Sequence, residues 1–311
     1  MRVARIYAIC LLLLIVTFAG CRTNQVENAG TQPVVKSGST AQTEKQPSND
    51  VTLNAEKTNG NLKVHFLDVG QGDSILVQFP DGENMLIDAG PSESSQYIVS
   101  YIKTQGIKKL DYLVLTHPHV DHIGGFENVF KNFKIGSVYM PKVTANTRTF
   151  QNMLLSVKEK GLKIKSAKAG VKIIDRDNLQ VDFVAPVDTE YDDLNNYSAV
   201  IRIQYGDTAF LLTGDAGTES EAQILASGVN LKADVLKIGH HGSSHSCSIS
   251  FLTAVSPQYA VISVGAGNNY GHPSEKTTIK LEKAGIKVLR TDQLGTIVFS
   301  SDGRTVLKLS A

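Results

Sequence analysis

Several features of specialised proteins are absent from this sequence of 311 residues. Three cysteines cannot form a disulfide framework, which excludes a small disulfide-stabilised scaffold. A formal net charge of +1 gives no overall preference for nucleic acid or for an acidic surface. No short repeat recurs along the chain, which excludes a solenoid. With 41% hydrophobic residues, the chain can bury the core of an ordinary globular protein.

The amino terminus has the pattern of a secretion signal. Arg2 and Arg5 precede an apolar run over residues 6–19, which is shorter than the roughly 20 residues that a membrane-spanning helix needs. An uncleaved anchor is the alternative interpretation. The stretch FAGC resembles the lipobox of bacterial lipoproteins, which implies a signal peptide over residues 1–20 and an acylated Cys21. We therefore expect an extracytoplasmic protein that is anchored to the cell membrane through Cys21, with Cys247 as its free thiol.

Residues 21–61 differ from the rest of the chain in composition. They are rich in Ser, Thr, Asn, Gln and Gly and show no apolar period, so burial cannot offset the entropy cost of ordering them. We predict a disordered tether with a mean reach of about 35 Å. The folded domain, residues 62–311, would then lie just above a membrane surface.

From Leu62 onward, short runs of β-branched and aromatic residues alternate with turns and helical patterns. LKVHFLD, DSILVQF and NMLIDA predict three strands, and PDGE predicts the hairpin turn between the second and third. Later strands are predicted at LQVDFVAP, SAVIRIQYG, TAFLLTGD and ADVLKIG, and helices at SSQYIVSYIKTQG, TESEAQILASG and SISFLTAV. This mixture predicts an α/β (α+β) domain in which two sheets pack together with helices outside.

The stretch THPHVDH, directly after the apolar run DYLVL, concentrates side chains that bind metals. His117 and His119 are two residues apart, so both imidazoles can point the same way in an extended loop, and Asp121 and His122 follow after the turn. Imidazole nitrogen and carboxylate oxygen are ligands of zinc, and manganese and iron are also possible. Burying four such residues is costly unless they are paired or coordinated, which favours a metal site over a solvated polar loop.

HPHVDH resembles the H-x-H-x-D-H signature of the metallo-β-lactamase superfamily. Six segments also resemble, in the same order, the hydrolase domain of the ComEC-type DNA-uptake (competence) proteins: FLDVGQGDSILVQFPDGENMLIDAG, LTHPHVDHIGG, NNYSAVIRI, FLLTGDAG, VLKIGHHGSSHS and AVISVGAGNNYGHP. The resemblance extends over almost all of residues 62–311. It implies an αββα four-layer sandwich with a two-metal site at one edge of the sheets, in a ComEC-like hydrolase made as a stand-alone lipoprotein.

The resemblance also implies roles for individual residues. The implied metal ligands are His117 and His119 for the first ion, Asp121, His122 and His240 for the second, and Asp215 as the carboxylate that bridges both. Asp88 matches an aspartate that supports the ligands from behind. Most superfamily members have a further histidine between the double motif and the bridging aspartate, but residues 123–214 contain none. Asn196, His241, a water or the substrate are the candidates for the open position.

Other residues are candidates for catalysis and substrate binding. Asp121 could orient the attacking hydroxide, and His241 or His272 could assist the leaving oxygen. Asn196 and the hydroxyls of Ser243 and Ser244, expected at the start of the helix SISFLTAV, are candidates for binding a phosphate. The alternatives are structural: a turn for Asn196, helix capping for the serines and an ordinary loop histidine for His272.

These features predict a metal-dependent hydrolase with two divalent ions as cofactors, zinc in the first place and manganese as the alternative. The family resemblance points to a phosphodiesterase or nuclease that acts on DNA or another phosphoester through hydroxide activated by the ion pair. Two alternatives stay open: a hydrolase of another ester, such as a phosphorylcholine esterase or a lactonase-like enzyme, and a non-catalytic surface module that binds DNA or another polymer. The sequence gives no evidence of an obligate protein partner.

Overall fold

The computed structural model describes residues 60–310. The predicted signal peptide over residues 1–20, the predicted lipidation site Cys21 and the predicted tether up to residue 59 lie outside the described residues. Within residues 60–310, no helix is both long enough and apolar enough to cross a membrane. Cys247 is the one free cysteine in this range, and burial raises the pKa of its thiol to about 12.

Fifteen strands and eight α-helices form the described domain. The strands are β1 (Leu62–Phe66), β2 (Ile75–Gln78), β3 (Asn84–Ile87), β4 (Lys109–Val114), β5 (Lys134–Met140), β6 (Ile164–Ser166), β7 (Lys172–Arg176), β8 (Leu179–Ala185), β9 (Val200–Tyr205), β10 (Thr208–Leu212), β11 (Val235–Lys237), β12 (Tyr259–Ile262), β13 (Lys287–Arg290), β14 (Ile297–Ser301) and β15 (Val306–Lys308). The helices are α1 (Ser95–Thr104), α2 (Val120–Ile123), α3 (Phe126–Asn132), α4 (Arg148–Glu159), α5 (Thr218–Ala226), α6 (Ile249–Val255), α7 (Glu275–Lys283) and α8 (Thr291–Leu294). The three predicted opening strands and the helix that follows them are confirmed.

The strands form two sheets. The first has eight strands in the order β15-β14-β1-β2-β3-β4-β5-β6, and the second has seven in the order β13-β12-β11-β10-β9-β8-β7. In the first sheet β1, β2 and β3 pair antiparallel, whereas β3 to β6 are parallel. In the second sheet β7 to β10 pair antiparallel, whereas β10 to β13 are parallel. Each sheet therefore has a parallel part, whose strands are joined by crossover connections.

Three buried apolar clusters define four layers. The cluster between the sheets includes Phe66 from the first sheet and Phe183 and Phe210 from the second. A second cluster packs α1, α3 and α4 on the outer face of the first sheet, and a third packs α5 and α6 on the outer face of the second. The predicted α/β (α+β) fold class and its αββα four-layer sandwich are confirmed.

The parallel strands determine where functional side chains can meet. Asp88 directly follows β3, and residues 116–122 follow β4 in the same sheet. Asp215 follows β10, and residues 239–242 follow β11 in the other sheet. The carboxyl ends of adjacent parallel strands lie at the same edge, which is where α/β sheets place their sites. The two edges meet, because His117 lies within 3.8 Å of Asp215.

Candidate metal centre

Two histidines of the HPHVDH segment are held from behind by Asp88 and Thr116. Asp88 Oδ2 lies 2.7 Å from His122 Nδ1 and accepts a hydrogen bond of 2.6 Å from Thr116 Oγ1. Because Thr116 Oγ1 gives its proton to Asp88, it can only accept from His117 Nδ1, 3.1 Å away. When neutral, both imidazoles therefore carry their proton on Nδ1 and present the lone pair of Nε2, as metal ligands do. These contacts are consistent with the supporting role predicted for Asp88.

Three side chains converge on Asp215 and form a group of four with it. One ligand atom each from Asp121, His122, Asp215 and His241 lies within 4.8 Å of the others. Asp215 Oδ2 is 3.3 Å from His122 Nε2 and 3.4 Å from His241 Nε2, and Asp121 Oδ2 is 3.2 Å from His241 Nε2. Two imidazoles and two carboxylates form a donor set that suits a divalent ion such as zinc or manganese.

His117 and His119 form a second pair beside the same carboxylate. His117 Nε2 lies 3.0 Å from His119 Nδ1 and 3.8 Å from Asp215 Oδ2. Asn195 Oδ1 lies 3.1 Å from His119 Nδ1. Asp215 is thus next to both groups, as a bridging ligand must be. The structure brings the six predicted ligands together around Asp215: His117, His119, Asp121 and His122 lie with it, and His240 lies at the edge of the group, with Nε2 3.9 Å from Asp215 Oδ2.

His240 and His241 are placed differently from the prediction. Both have left-handed backbone conformations in the turn after β11, with φ of 49° and 53°. In this turn the His241 ring is buried in the ligand group, where Nδ1 donates to Ser263 O at 2.9 Å and Nε2 faces Asp121 and Asp215. The His240 side chain is 31% exposed, and its Nε2 lies 3.9 Å from Asp215 Oδ2. The structure therefore favours His241 over His240 as the histidine of the second ion.

Three buried atoms of this centre make no hydrogen bond of normal geometry. They are His122 Nε2, His241 Nε2 and Asp215 Oδ1, and within residues 60–310 the two imidazole nitrogens only face carboxylate oxygens at 3.2 to 3.4 Å. Unpaired buried polar atoms are costly, and native proteins rarely leave several in one place. Coordination to cations would satisfy all three atoms, so the residues present fit a metal centre.

Protons balance the charge of this group when it holds no metal. Burial lowers the pKa of His241, but the carboxylates of Asp215 and Asp121 outweigh burial and raise it to about 10. Burial also lowers the pKa of His122, yet Asp215 and Asp88 raise it well above its usual value. Burial raises the pKa of Asp215, whereas His122 and His241 bring it well below the usual range. These protons must leave when a cation binds, so binding is expected to weaken at low pH.

A buried ion pair that the sequence analysis missed supports the loops of the centre. Lys237 is fully buried, and its Nζ lies 2.7 Å from Asp73 Oδ2 and donates to Gly214 O and Ile238 O, each at 3.0 Å. The ammonium group therefore makes one ion pair and two hydrogen bonds to backbone carbonyls. A signal was present in the sequence, because a lone lysine inside the apolar strand ADVLKIG needs a buried partner.

Asn196 has a different environment from the one predicted. Its Oδ1 accepts from Gly217 N at 3.1 Å, and its Nδ2 donates to Glu219 Oε2 at 2.7 Å. The side chain braces the segment that follows Asp215 and is occupied by these two bonds. The structure therefore does not place Asn196 in the open ligand position or leave its side chain free for substrate.

Ser243 and Ser244 precede the helix instead of starting it. Helix α6 begins at Ile249, and the hydroxyl of Ser248 caps it by accepting from Phe251 N at 3.3 Å. Ser243 is buried, and its Oγ accepts from His245 N at 3.2 Å, whereas Ser244 is exposed. The expected position of these serines at a helix amino terminus is wrong, because Ser248 has the extended backbone and the bonded hydroxyl of the N-cap.

His272 lies at the rim of the centre. Its ring packs edge-on against that of His240, with 5.4 Å between the centroids, and the side chain is only partly buried. Burial, together with His240 and His241, lowers the pKa of His272 below its usual value. A partly exposed neutral imidazole in this place can contact a molecule that approaches the ligand group.

Comparison with known proteins agrees with the geometry. The sequence pattern of the Metallo-beta-lactamase superfamily matches residues 67–266. The chain belongs to this superfamily. Among curated relatives, ComE operon protein 3 of Bacillus subtilis (strain 168) is 34% identical over 259 residues, which is 78% of this chain and 33% of that protein. Competence protein ComA of Neisseria gonorrhoeae is 36% identical over 238 residues, which is 76% of this chain and 32% of that protein.

These relatives support membership of the ComEC-like competence family within the metallo-β-lactamase superfamily. The chain spans about a third of the length of the two relatives. Among solved structures, the metallo-beta-lactamase fold protein YhfI from Bacillus subtilis aligns with a TM-score of 0.51 at 14% identity, over 77% of this chain and all of that one (100%). That likeness concerns the fold alone. Fold, family and donor groups together identify a metal-dependent hydrolase of the metallo-β-lactamase fold.

Proposed function

We propose that this hydrolase is a phosphodiesterase that cleaves nucleic-acid strands, DNA in the first place, at a centre for two divalent ions. One observation carries the proposal: Asp215 Oδ2 lies within 3.8 Å of His117 Nε2 and within 3.4 Å of both His122 Nε2 and His241 Nε2. One carboxylate is thus shared by two groups of imidazoles, as in two-ion hydrolases. The competence proteins among the relatives support DNA as the substrate.

The donor groups divide between two ions. His117, His119 and Asp215 would hold the first, and Asp121, His122, His241 and Asp215 the second. When bound, a pair of divalent ions lowers the pKa of a shared water and neutralises charge on an attacked phosphoryl group. Zinc suits the imidazole-rich set, and manganese is the second candidate because it accepts carboxylate and imidazole together.

Asp121 and His272 are the residues that face the substrate in this proposal. The Asp121 side chain is 35% exposed, whereas that of Asp215 is 2% exposed. In the metal-free centre, burial raises the pKa of Asp121, but His122 and His241 bring it far below its usual value. A bound cation would favour the carboxylate in the same way, so Asp121 would be ionised and could orient the attacking water. The lowered pKa of His272 keeps its imidazole neutral, so it suits hydrogen bonding to a phosphate oxygen better than proton donation to the leaving group.

The test compares the purified full-length protein with the double variant His119→Ala/Asp215→Ala. Substrates are a fluorescent single-stranded DNA and bis-p-nitrophenyl phosphate, with added zinc, added manganese or excess chelator. We expect metal-dependent cleavage by the wild type and background cleavage by the double variant, because both ion groups lose a ligand. Lys131→Ala, on the exposed side of α3, is the control and should cleave like the wild type.

Three results would contradict the proposal. Cleavage by the double variant at the wild-type rate would show that the centre around Asp215 is not needed for the reaction. Binding of DNA without cleavage under any metal condition would favour the surface-binding module, and cleavage of other esters alone would favour an esterase.

A further inference from the structure

The resemblance leaves one ligand position of the first ion without a histidine, and Asn195 lies close to that position. The first ion has only His117, His119 and Asp215 as predicted ligands, and residues 123–214 contain no histidine. Asn195 belongs to this interval and lies in the short 3-10 helix Leu194–Tyr197, directly before β9. We propose that Asn195 Oδ1 is the further protein ligand of the first ion. This inference rests on the two-ion centre proposed above.

His119 Nδ1 lies between two atoms that could bind a metal ion. In the metal-free protein, the Nδ1 proton of His119 occupies the place between them. Thr116 fixes the Nδ1 proton of His117, so His117 Nε2 offers a lone pair. Asn195 Oδ1 offers lone pairs as well, and His119 Nδ1 lies 3.0 Å from the first of these atoms and 3.1 Å from the second. One N–H thus faces two acceptors. Moving that proton to Nε2 of the same ring leaves three lone-pair atoms close together, which is the arrangement that a cation requires.

The position of Asn195 is fixed by its own turn. The residue is 8% exposed, its backbone N donates to Asp193 Oδ1 at 2.9 Å, and its carbonyl accepts from Ser198 N at 3.0 Å. Ser198 Oγ in turn accepts from Asp215 N at 3.0 Å. The turn that carries Asn195 is therefore tied through Ser198 to the backbone of Asp215, so the amide oxygen needs little reorganisation to bind an ion.

The neighbouring asparagine provides a matched comparison. The Asn196 side chain is committed to Gly217 N and Glu219 Oε2. Asn195 and Asn196 have the same chemistry and similar burial, at 8% and 6% exposure, but only Asn195 reaches a predicted ligand. A neutral amide oxygen is also a harder and weaker ligand than imidazole, so the first ion should be held less tightly than by a third histidine.

The experiment measures metal binding instead of activity. Wild type and the variants Asn195→Ala, Asn195→Asp, Asn195→His and Asn196→Ala are stripped with chelator. They are then titrated with zinc against a chromophoric chelator, and bound metal is counted after dialysis. We expect two ions in wild type and a loss of affinity for one of them in Asn195→Ala of about tenfold or more. Asn195→Asp should retain both ions, and Asn195→His should bind the first at least as tightly as wild type, because imidazole is a strong zinc ligand.

The control and the contrary outcomes separate this inference from the proposed function. Asn196→Ala should lower the thermal midpoint of the metal-free protein and still bind two ions. Two ions held with unchanged affinity by Asn195→Ala, or weaker binding by Asn195→His, would overturn the inference even if the wild type cleaves DNA. Conversely, the wild type could bind two ions and cleave no phosphodiester, while Asn195→Ala loses one ion selectively. This result would support Asn195 as a metal ligand and contradict the proposed phosphodiesterase function. If Asn195→Ala does not fold, the zinc affinities of Asn195→Asp and Asn195→His test the inference.

Discussion

His240 and His241 are neighbours of one residue type, and only the second is buried against Asp121 and Asp215. The difference arises in the backbone, because two successive residues with φ near 50° are uncommon without glycine and turn the two side chains in different directions. Left-handed non-glycine residues cluster at functional sites, where surrounding contacts hold them in place. Here the contact of His241 Nδ1 with Ser263 O at 2.9 Å fixes the ring.

The difference between these histidines can be measured by zinc binding. His241→Ala removes an Nε2 that faces both carboxylates, so we expect zinc affinity at one site to fall by about tenfold or more. His240→Ala removes a partly exposed ring at 3.9 Å from Asp215 and should retain both ions. Competition titration of the two variants checks this. Loss of an ion from His240→Ala together with retention in His241→Ala would restore the assignment made from the sequence.

Sequence reasoning identified candidate ligands in the motif HPHVDH, and these lie close together in the structure, but it could not distinguish two adjacent residues of the same type. HPHVDH and Asp215 could be predicted because the motif and its place after buried strands restrict the geometry. Asn195 and Asn196 could not be distinguished, because only the turn decides which amide faces His119. The Asp73–Lys237 pair joins the loop before β2 of one sheet to strand β11 of the other, and the apolar pattern around Lys237 indicates that it needs a buried partner without indicating which residue that is.

At the scale of the element, strand β1 shows how much the alternating pattern predicts. Leu62, Val64 and Phe66 pack between the sheets, as the pattern of LKVHF indicates. The pairing of β1 with β14 from the far end of the chain was not predictable, because alternation identifies the buried face of a strand and not its neighbour. His65, on the other face of β1, is also buried and contacts Gln78 in β2 and Tyr101 in α1.

His65 should make stability depend on pH. Burial lowers its pKa to about 4, from 6.5 in an unfolded chain. Between these values the unfolded chain binds the proton more readily, so the free energy of unfolding falls as pH decreases. From pH 7 to pH 5 we expect a loss of about 2 kcal/mol from this residue. His65→Gln keeps hydrogen-bonding groups without titrating in this range. Urea unfolding of both proteins at the two pH values should show the smaller decrease in the variant, and equal decreases would contradict the assignment.

At the scale of the whole molecule, the centre depends on both sheets. The first sheet supplies the HPHVDH segment and Asp88 after its parallel strands, and the second supplies Asp215 and His241. Neither sheet holds a complete donor set, so the ligands come together only when the sandwich has packed. Ion binding and stability should therefore be coupled, since a cation that binds only the folded domain stabilises it.

The predicted lipid anchor at Cys21 would determine how far the hydrolase domain can lie from the membrane. If Cys21 is acylated, the segment up to residue 61 would let the hydrolase move within about 35 Å of a membrane surface. Metabolic labelling with a fatty-acid analogue, in a bacterium that processes lipoproteins, tests this in the full-length protein. We expect label in the wild type and in Cys10→Ser, because Cys10 lies in the predicted signal peptide, and none in Cys21→Ser. Release from the membrane is not the readout, because an uncleaved apolar segment could still hold Cys21→Ser there. Equal labelling of Cys21→Ser and wild type would show that the hydrolase is not lipidated at this cysteine.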